Sequence, residues 1–485
     1  IEIAVALNSA NLEALHNRAL VLRELRLPAQ QKKAWQAYLT KESDGRWTAE
    51  ARRNVELLSS IDFYASSRSN ASDAFVAAAG AQDEQRAWQV LTGNKEMITE
   101  KFIPQELAHS FLRASSEGDL ESANKFLAAL RFAGKLEIAN AHDRFVSDLA
   151  QFYARTSPAQ RKTLQDAHEL LRKGYAACLN ANYDKNLFIE AQKLFLRAGD
   201  VWEAKICDYW IAYCLSQDGE IATSTELLQS LAKFSKSKQY HWLAGQAICW
   251  IANNYTDLGE YSKSIKTYDL ALNTATEIND VYNEQKVLSQ WGNTYLRLNQ
   301  PERALQNNWR ALQLVDPQLS SVRQTWRIYL YTARALIALK LFEAANQYEQ
   351  EMLDLALNVI RDPAVSHFSY LYLGQIEGGR KNFAKAIEFA SESLKLADSV
   401  ADADNRQKLR TGALMLLAQL HRQSGAVAEA LKIYNEVINN ADKMELQLFK
   451  LDAYKGRLLC YTALKDDPNF EAQLPNVLEE FERNR

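Results

Sequence analysis

The apolar and small residues of this chain return in a fixed order about every forty residues. One copy reads Ile251-Ala252, Tyr255, Gly259, Tyr261, Ser264, Tyr268 and Ala271-Leu272. The next reads Trp291-Gly292, Tyr295, Asn299, Pro301, Ala304, Asn308 and Ala311-Leu312. Apolar residues three or four positions apart share one face of a helix. Because each copy holds two such stretches around a turn, the pattern predicts pairs of helices.

A small residue on the first helix of each pair marks the register of the repeat. It falls at Ala212, Ala252, Gly292, Ala333, Gly374 and Ala418, at intervals of 40, 40, 41, 41 and 44 residues. A small side chain there allows the partner helix to approach closely, and Gly259 and Gly425 suit the tight turn that follows. Since a single hairpin cannot bury its apolar stripe alone, stability is expected to come from stacked neighbours.

The register divides the chain into three predicted parts. Residues 1–60 read as an N-terminal repeat-like segment, and residues 61–160 as an irregular helical segment. Residues 161–485 read as a solenoid of about seven helix pairs with a C-terminal cap. Within the irregular segment, Gly93, Gly118 and Gly134 are predicted helix ends, and Ser157-Pro158 a helix start with Ser157 as the cap.

The repeated motif resembles the tetratricopeptide repeat. The resemblance implies an all-α solenoid, a right-handed superhelix of helix pairs, whose first helices line a concave groove that holds a protein or peptide. The repeat here is six or seven residues longer than the usual 34-residue unit, which adds about one turn to each helix.

A narrower resemblance rests on the N-terminal region. Asn17-Arg18-Ala19-Leu20, Ala34-Trp35, Tyr38-Leu39 and Trp47-Thr48-Ala49-Glu50-Ala51 are similar to the start of bacterial proteins that join tetratricopeptide repeats to a CHAT domain, a caspase-like protease module. This resemblance implies a sensing or regulatory half, with the catalytic domain expected after residue 485. The chain begins at Ile1 without an initiator Met, so we expect a cut piece or a processed form.

Composition narrows the classes of function. The net charge is −3 and charged residues make up 24 %, so no broad electrostatic attraction to nucleic acid or membrane is expected. None of the five Cys forms a C-x-x-C pair, and most lie in apolar helix faces, which indicates reduced, buried thiols and a cytoplasmic protein. No apolar stretch is long enough to span a membrane.

Candidate chemistry is sparse. The seven His lie in no hydrolase signature, and a pairing of Cys249 with His241 would be accidental. His168-Glu169 lacks the second His of a zinc helix, and Gly378-Gly379 stands in a helical repeat rather than a phosphate-binding loop. We therefore expect no catalytic, metal or cofactor-binding residues in this chain.

The functional prediction concerns the groove. The residue after each small residue should point into it, as should residues one or two turns earlier on the same helix. The candidate partner-binding residues are Tyr209, Tyr213, Asn253, Lys286, Asn293, Arg327, Arg334, Leu371, Gln375 and Gln419. Asn, Gln and Arg can hydrogen-bond a peptide backbone whatever its sequence, and the Tyr residues add rigid contact area.

Some tetratricopeptide domains clamp a C-terminal carboxylate with a specific set of Lys, Asn and Arg. Asn253 and Lys286 match part of that set, but Cys249 and Gln290 stand where basic residues belong, so a chaperone-type clamp is not expected. Four interpretations remain open: a scaffold or sensor that binds peptides, the regulatory half of a CHAT-type protease, a receptor for a small ligand or signalling peptide, and a cryptic enzyme.

Overall fold

The computed structural model describes residues 2–42, 45, 47–60, 71–95, 102–179, 182–316, 320–444 and 446–483, and the regular elements of these ranges are helices. Those before the periodic region are α1 Glu2–Leu7, α2 Leu12–Glu24, α3 Pro28–Leu39, α4 Thr48–Ser60, α5 Ala71–Gly80, α6 Glu84–Gly93, α7 Ile103–Glu117, α8 Leu120–Ala141 and α9 Phe145–Tyr153.

The remaining helices form hairpins. They are α10 Pro158–Leu179 and α11 Lys185–Ala198, α12 Val201–Gln217 and α13 Ile221–Ser237, α14 His241–Asp257 and α15 Tyr261–Glu277, α16 Val281–Arg297 and α17 Pro301–Gln313, α18 Val322–Ala338 and α19 Phe342–Leu355, α20 Pro363–Gly379 and α21 Phe383–Asp398, α22 Ala403–Gln423 and α23 Val427–Lys443, and α24 Gln447–Leu464 and α25 Asp467–Arg483. A short π-helical turn, Ala356–Ile360, follows α19. The fold is an all-α solenoid of the tetratricopeptide type, as predicted.

The turn between the two helices of a hairpin confirms the predicted register. In six hairpins a residue with positive φ stands seven positions after the small residue: Gly219 (83°), Gly259 (73°), Asn299 (54°), Lys340 (59°), Lys381 (64°) and Gly425 (92°). The left-handed conformation reverses the chain so that the second helix packs back on the first. Glycine adopts it without steric cost, which explains Gly259 and Gly425.

Close contact inside a hairpin depends on the small residues of the first helix. Ala212, Ala252, Ala333 and Ala418 have no exposed surface. A Cβ atom on Gly292 would lie 2.2 Å from Asn308 Oδ1 and 3.2 Å from the Ala304 carbonyl oxygen. Hydroxyl groups add bonds within a hairpin and between neighbouring hairpins, since Thr256 Oγ1 lies 2.7 Å from Ser264 Oγ of its own hairpin and 2.8 Å from Thr294 Oγ1 of the next.

The backbone divides into two compact units. Residues 60–331 form one, called here the continuous unit, and residues 1–59 with 332–485 form the other, called the split unit. The boundary falls within α18. The sequence-based division into 1–60, 61–160 and 161–485 follows the repeat pattern, and it remains a proposal. The two compact units are defined differently, by which residues contact one another.

In the split unit, helix α3 packs against α19, more than three hundred residues later in the chain. Leu27 stands at the cap position of α3 and its side chain makes no capping bond. Glu351 of α19 replaces it, because its Oε1 and Oε2 accept hydrogen bonds of 2.9 Å from the backbone N–H groups of Ala29 and Gln30. Asp354 adds a 2.6 Å ion pair with Lys33.

In the continuous unit, helices α5–α9 precede four hairpins. Gly93 ends α6 and Gly118 is the left-handed cap of α7, as predicted. Gly134 does not end a helix: it lies inside α8, where a Cβ atom would meet the Ser147 backbone at 2.6 Å, so close packing against α9 explains the glycine. The break between α8 and α9 comes instead at the left-handed His142.

The start of the periodic region agrees with the sequence. Helix α10 begins at Pro158, Gln160 N–H donates to Ser157 Oγ over 3.3 Å, and Ser157 N–H donates to Gln160 Oε1 over 2.9 Å. This reciprocal pair is a capping box.

A buried charged cluster joins α8 to the start of the solenoid helices in the continuous unit. Lys95 Nζ lies 3.1 Å from Glu137 Oε1, and both side chains are almost fully buried. Asp143 accepts hydrogen bonds from the backbone N–H groups of Phe145 and Trp242, over 2.8 and 2.7 Å. Burial raises the pKa of Glu137 and Asp143. The cluster thus ties the irregular helices to α14.

Membrane association by a spanning helix finds no support in the described residues, because none of their helices combines the length and apolar character that crossing a bilayer requires.

Candidate functional site

The ten predicted groove residues all lie on first helices of hairpins, and we call the surface formed by these helices the first-helix face. In the continuous unit, Tyr209 and Lys286 are buried, whereas Tyr213, Asn253, Asn293 and Arg327 are half-buried. In the split unit, Arg334, Leu371, Gln375 and Gln419 are half-buried. Half-buried polar side chains in register are what a binding face requires, although burial alone does not establish binding.

Lys286 lies at the centre of the first-helix face of the continuous unit. Its Nζ donates to Gln246 Oε1 over 2.8 Å and to Tyr209 OH over 3.3 Å. It also lies 5.7 Å from the ring centroid of Tyr209 and 5.9 Å from that of Trp250, within the range of cation–π attraction. The lysine therefore connects three successive first helices, α12, α14 and α16.

The partners of Lys286 are neutral. Burial lowers the pKa of this lysine, but Tyr209 and Cys249 more than offset that effect, so the pKa is raised and the group is charged at neutral pH. Arg327 is near enough to oppose its protonation. Asp280 is near enough for the charge of Lys286 to oppose the rise that burial causes in the pKa of Asp280.

Several hydrogen-bond donors around Lys286 have no acceptor in the described part of the chain. An ammonium group carries three N–H donors, and Lys286 uses two. Gln246 Nε2 and Trp250 Nε1 are buried and make no hydrogen bond. Gln246 is 1 % exposed, Tyr209 3 % and Lys286 8 %. Donors without acceptors are costly when buried, and the described residues hold others, such as Trp35 Nε1 and Trp291 Nε1.

Aromatic rings frame one side of the cluster. The Tyr213 ring lies 4.8 Å from Trp250, 5.2 Å from Trp210 and 5.8 Å from Tyr183, measured between ring centroids. Rings at these distances and angles stabilise one another. The result is a rigid wall beside Lys286.

Two adjacent asparagines on α14 behave differently. Asn254 is fully buried and bonds to Ser216, Ser224 and Thr225 over 2.8, 2.9 and 3.0 Å. Asn253 faces the other way and accepts a 2.6 Å hydrogen bond from Tyr268 OH, while its Nδ2 has no partner. The hydrogen bonds of Asn254 lie within the solenoid, whereas Asn253 is oriented by Tyr268 and its Nδ2 atom is buried.

In the split unit the first-helix face carries a cavity of about 320 Å³. Gln375 and Gln419 line it together with Ile337, Phe342, Gly378, Gly379, Leu416 and Leu420. Met415 is buried in the cluster around Leu417 and Tyr434, and Leu371 packs against that cluster. The dominant lining is therefore Gln and Gly beside apolar walls.

Sequence reasoning missed Gln246, Trp250 and Gln324. Gln246, Lys286 and Arg327 each stand six positions before the small residue of their helix. Gln324 Nε2 donates to Ser289 Oγ over 3.1 Å, and its Oε1 accepts from Arg327 over 3.1 Å. Applying the position of Lys286 and Arg327 to helix α14 as well would have identified Gln246.

A buried His–Glu pair is the strongest alternative for catalysis. His168 Nε2 lies 2.9 Å from Tyr153 OH and 3.1 Å from Glu203 Oε2, and Tyr153 OH donates to Glu203. Burial lowers the pKa of His168 to about 4 and raises that of Glu203 to about 7. His168 is consequently neutral at pH 7, and with 1 % of its surface exposed it reaches no substrate.

Other chemical sites are absent from the described residues. Cys178, Cys207, Cys214, Cys249 and Cys460 are buried free thiols, with Sγ atoms of Cys178 and Cys214 4.0 Å apart. Cys249 and His241 make no hydrogen bond to each other there, and no group of three His, Cys, Asp or Glu in those ranges suits a metal ion.

A larger cavity of about 810 Å³ lies elsewhere in the continuous unit. Trp202 Nε1 donates to Tyr240 OH over 2.9 Å, and Tyr240 OH donates to Asp148 over 2.9 Å, along its wall. None of the ten predicted groove residues lines it. The cavity combines Arg144 and Lys205 with carboxylates that already pair with them.

Comparison with known proteins identifies no family. No protein-family model and no curated protein sequence matches this chain. Among solved structures, the chain is similar to the apo form of the quorum sensor NprR from B. thuringiensis, with 17 % identity and a TM-score of 0.47 over 76 % of this chain and 97 % of that one.

A second similar structure is a signal-transduction ATPase with numerous domains from Pyrococcus horikoshii, which carries a tetratricopeptide repeat sensor. The identity is 14 % and the TM-score 0.48, over 93 % of this chain and 72 % of that one. Likenesses this distant carry no function across, so the tetratricopeptide-type fold stands on the helical hairpins and their register.

Proposed function

We propose that this chain is a non-enzymatic peptide- or protein-binding scaffold or sensor, and that the first-helix face of the continuous unit receives the partner. The observation that carries the proposal is the row of half-buried side chains of Tyr213, Asn253 and Asn293, one from each of three successive first helices. Tyr268 OH orients Asn253 by donating a 2.6 Å hydrogen bond to its Oδ1. Amide side chains in such a row can hydrogen-bond a peptide backbone whatever its sequence.

The rest of the face supports the same proposal. Asn293 occupies the equivalent position on the next first helix, and Tyr213 and Trp250 provide rigid aromatic surface between α12 and α14. Aromatic side chains on rigid helices contribute contact area at small entropic cost. A partner that lies across several first helices would use all of these groups together.

The experiment is selection of binders from a random peptide library, followed by affinity measurements with variants. Asn253→Ala is expected to weaken a selected peptide about 3- to 10-fold, because one hydrogen bond contributes about 0.5–1.5 kcal/mol. The matched control is Asn273→Ala, since Asn273 is exposed on the second helix α15. Equal affinity for Asn253→Ala and wild type would contradict the proposed binding face.

The narrower proposal, that this chain is the sensing half of a CHAT-type protease, rests on the resemblance of residues 17–51. In the structure His16, Trp35, Tyr38 and Trp47 of that region form an aromatic cluster, with His16 5.1 Å from Trp35 and 4.6 Å from Trp47. Reading the coding sequence downstream of Arg485 tests it: a His and Cys at caspase-like spacing would support it, and a stop codon would remove it.

The receptor alternative differs in the size of the ligand. The 320 Å³ cavity between Gln375 and Gln419 is near the lower end of the range for small-molecule sites. Peptides selected with the wild type are tested against the double variant Gln375→Ala/Gln419→Ala. A signalling-peptide receptor that uses this cavity would no longer bind its peptide in the double variant, whereas a scaffold that uses the face of the continuous unit would bind it unchanged.

A further inference from the structure

A cavity of the continuous unit lies between α9 and the neighbouring helices α11, α12 and α13, and we call it the seam cavity. Its volume of about 810 Å³ falls within the range of about 300–1,000 Å³ that small-molecule sites occupy. Beside it, the Arg144 N–H group donates to the Gln239 carbonyl oxygen over 3.1 Å, and Tyr240 OH donates to Asp148. A ligand in this cavity would therefore contact the irregular helices and the solenoid hairpins together.

Apolar side chains form much of the cavity wall, and two of them are exposed. Leu196 of α11 is 53 % exposed and Val201 of α12 is 42 % exposed. The half-buried rings of Trp202 and Phe234 belong to the same lining, and Phe152 supports Trp202 with ring centroids 5.4 Å apart. A single exposed leucine is ordinary on a protein surface, but apolar side chains grouped in one concave lining are typical of a ligand site.

The polar atoms of the aromatic wall are already hydrogen-bonded. Trp202 Nε1 donates to Tyr240 OH over 2.9 Å, and Tyr240 OH donates to Asp148 Oδ2 over 2.9 Å. The other oxygen of Asp148 lies 3.3 Å from Arg144 Nη2. Trp202 therefore offers a ligand its ring surface rather than a hydrogen bond, and both oxygens of Asp148 are engaged.

The charge of the lining is positive. Three cations and one carboxylate lie in it: Arg144, Lys205, Lys238 and Asp148. Asp208, which is outside the lining, pairs with Lys205 over 2.6 Å, and Asp148 pairs with Arg144. Lys238 belongs to neither pair and is exposed at the end of α13. Its charge remains in excess at the cavity, although the whole chain carries −3.

The surface around the cavity extends this positive charge. Residues 191–199 and 228–239, at the ends of α11 and α13, contain no Asp or Glu. The exposed basic residues of these segments outside the lining are Lys193, Arg197, Lys233 and Lys236. Basic residues near a helix C-terminus are favoured by the helix dipole, but a ligand at the cavity also experiences their field. An apolar cavity beside excess positive charge suits a ligand that is both apolar and anionic.

We propose that the seam cavity is a binding site for a small amphipathic anion, a molecule with an apolar alkyl or aryl body and one negative charge. The body would lie against Leu196, Val201 and Trp202, and the charge beside Lys238. One cation outside the ion pairs matches one negative charge, whereas a polyanion such as a nucleotide would bring charges that the lining does not pair. None of the ten predicted groove residues lines the cavity, so this site is independent of the proposed peptide-binding face.

The test is titration calorimetry of the whole chain with decyl sulfate and with 1-anilinonaphthalene-8-sulfonate. Decyltrimethylammonium has the same tail as decyl sulfate and the opposite charge, and we expect it to bind about 10-fold more weakly. Binding of the alkyl anion alone would identify a lipid-like ligand, and binding of the aryl anion alone an aromatic one. Equal affinity for the two decyl compounds would overturn the proposal, as would sulfate ion binding as tightly as decyl sulfate, or no binding of either anion.

Two variants locate the bound anion, and both change exposed residues, so folding is expected to stay intact. Lys238→Met is expected to weaken decyl sulfate about 3- to 10-fold without weakening decyltrimethylammonium. Leu196→Ala is expected to weaken decyl sulfate by a similar factor, about 3- to 10-fold, because its tail loses apolar contact. The matched control is Lys236→Met, which is exposed on α13 but outside the lining and should change affinity less than about 2-fold. Equal losses in Lys236→Met and Lys238→Met would mean that a diffuse positive surface binds the anion, and would overturn the proposed site.

Hydrogen exchange gives the position of the ligand independently of the variants. Decyl sulfate in the seam cavity is expected to slow amide exchange in α9 and in residues 238–242, which the ligand would hold together, and to leave helix α23 of the split unit unchanged. Protection confined to regions outside the cavity lining would contradict the proposal even if the anion binds tightly.

Discussion

Individual residues decide how closely the two helices of a hairpin approach. The small residues that define the repeat are all buried among the described residues, so a larger side chain at these positions would have no free space. At Gly292 the constraint is strongest, because Asn308 and the Ala304 carbonyl of the second helix occupy the position of a side chain. The next residue along the helix is Asn293, a candidate binding residue, which is half-buried.

Gly292→Ala is expected to destabilise the protein by about 1–3 kcal/mol, the usual cost of forcing atoms into a well-packed contact. Gly80→Ala is the matched control, because a Cβ atom at the end of α5 meets no atom within 4 Å. Urea unfolding of both variants against wild type measures the difference. Equal midpoints for Gly292→Ala and wild type would mean that the hairpin contact yields more easily than the distances imply.

Helices are the scale at which the sequence was most informative. The period of small residues located six turns correctly, because the left-handed residue stands at a fixed distance from the helix contact. Gly134 was wrongly predicted to end a helix, because a sequence does not distinguish a glycine that allows close packing, here against Ser147, from a glycine that ends a helix. Lys286 was among the predicted groove residues, but its hydrogen bonds to Gln246 and Tyr209 could be found only in the structure.

Contacts between distant elements were beyond sequence reasoning. Leu27 stands at the cap position of α3 and its side chain cannot cap the helix, and only the structure shows that Glu351 of α19 supplies the missing acceptors. A hydrogen bond between residues 322 positions apart leaves no periodic signal in one sequence. A helix N-terminus with its carboxylate partner is nevertheless a strong local interaction, because the free N–H groups and the helix dipole both favour negative charge.

Glu351→Ala is expected to lower the free energy of unfolding of the split unit by about 1–3 kcal/mol, since two buried N–H groups lose their acceptors. Asp354→Ala is the control on the same helix face: its ion pair with Lys33 is partly exposed, and such pairs contribute at most about 1 kcal/mol. Hydrogen exchange of α3 amides reports the local effect. Faster exchange of the α3 amides in Asp354→Ala than in Glu351→Ala would contradict the assignment of the capping contact to Glu351.

At the scale of the whole molecule, carboxyl groups whose pKa is raised by burial outnumber histidines whose pKa is lowered by burial, among the residues that the structure describes. Burial raises the pKa of Glu137, Asp143, Asp200, Glu203, Asp280, Glu284, Glu349 and Glu351. Burial lowers the pKa of His109, His168 and His367, to about 4 for the first two. The two sets act in opposite directions, so the balance determines how stability depends on pH.

A carboxyl group with a raised pKa binds more protons in the folded than in the unfolded chain, so its contribution to stability is present below its ordinary pKa and lost as pH rises. A histidine with a lowered pKa contributes stability above about 6.5 that is lost as pH falls toward 4. Since the carboxyl groups are more numerous, we expect the free energy of unfolding to decrease between about pH 5 and pH 8.

The sharpest test is Glu349, which has no exposed surface and no hydrogen bond to either oxygen. Burial raises its pKa well above the ordinary value, so the group stays protonated in the folded state while the unfolded chain ionises it. Glu349→Gln is therefore expected to flatten the pH dependence by up to about 1.4 kcal/mol per pH unit, the value for one proton. Glu388→Gln, exposed on α21, should leave the slope unchanged.

Urea unfolding at pH 5, 6, 7 and 8 measures both slopes, and a wild-type stability that rises across this range would show that the histidines dominate. Such a result would also mean that positive charges near the buried carboxyl groups, such as Lys95 beside Glu137, offset the rise in pKa that burial causes.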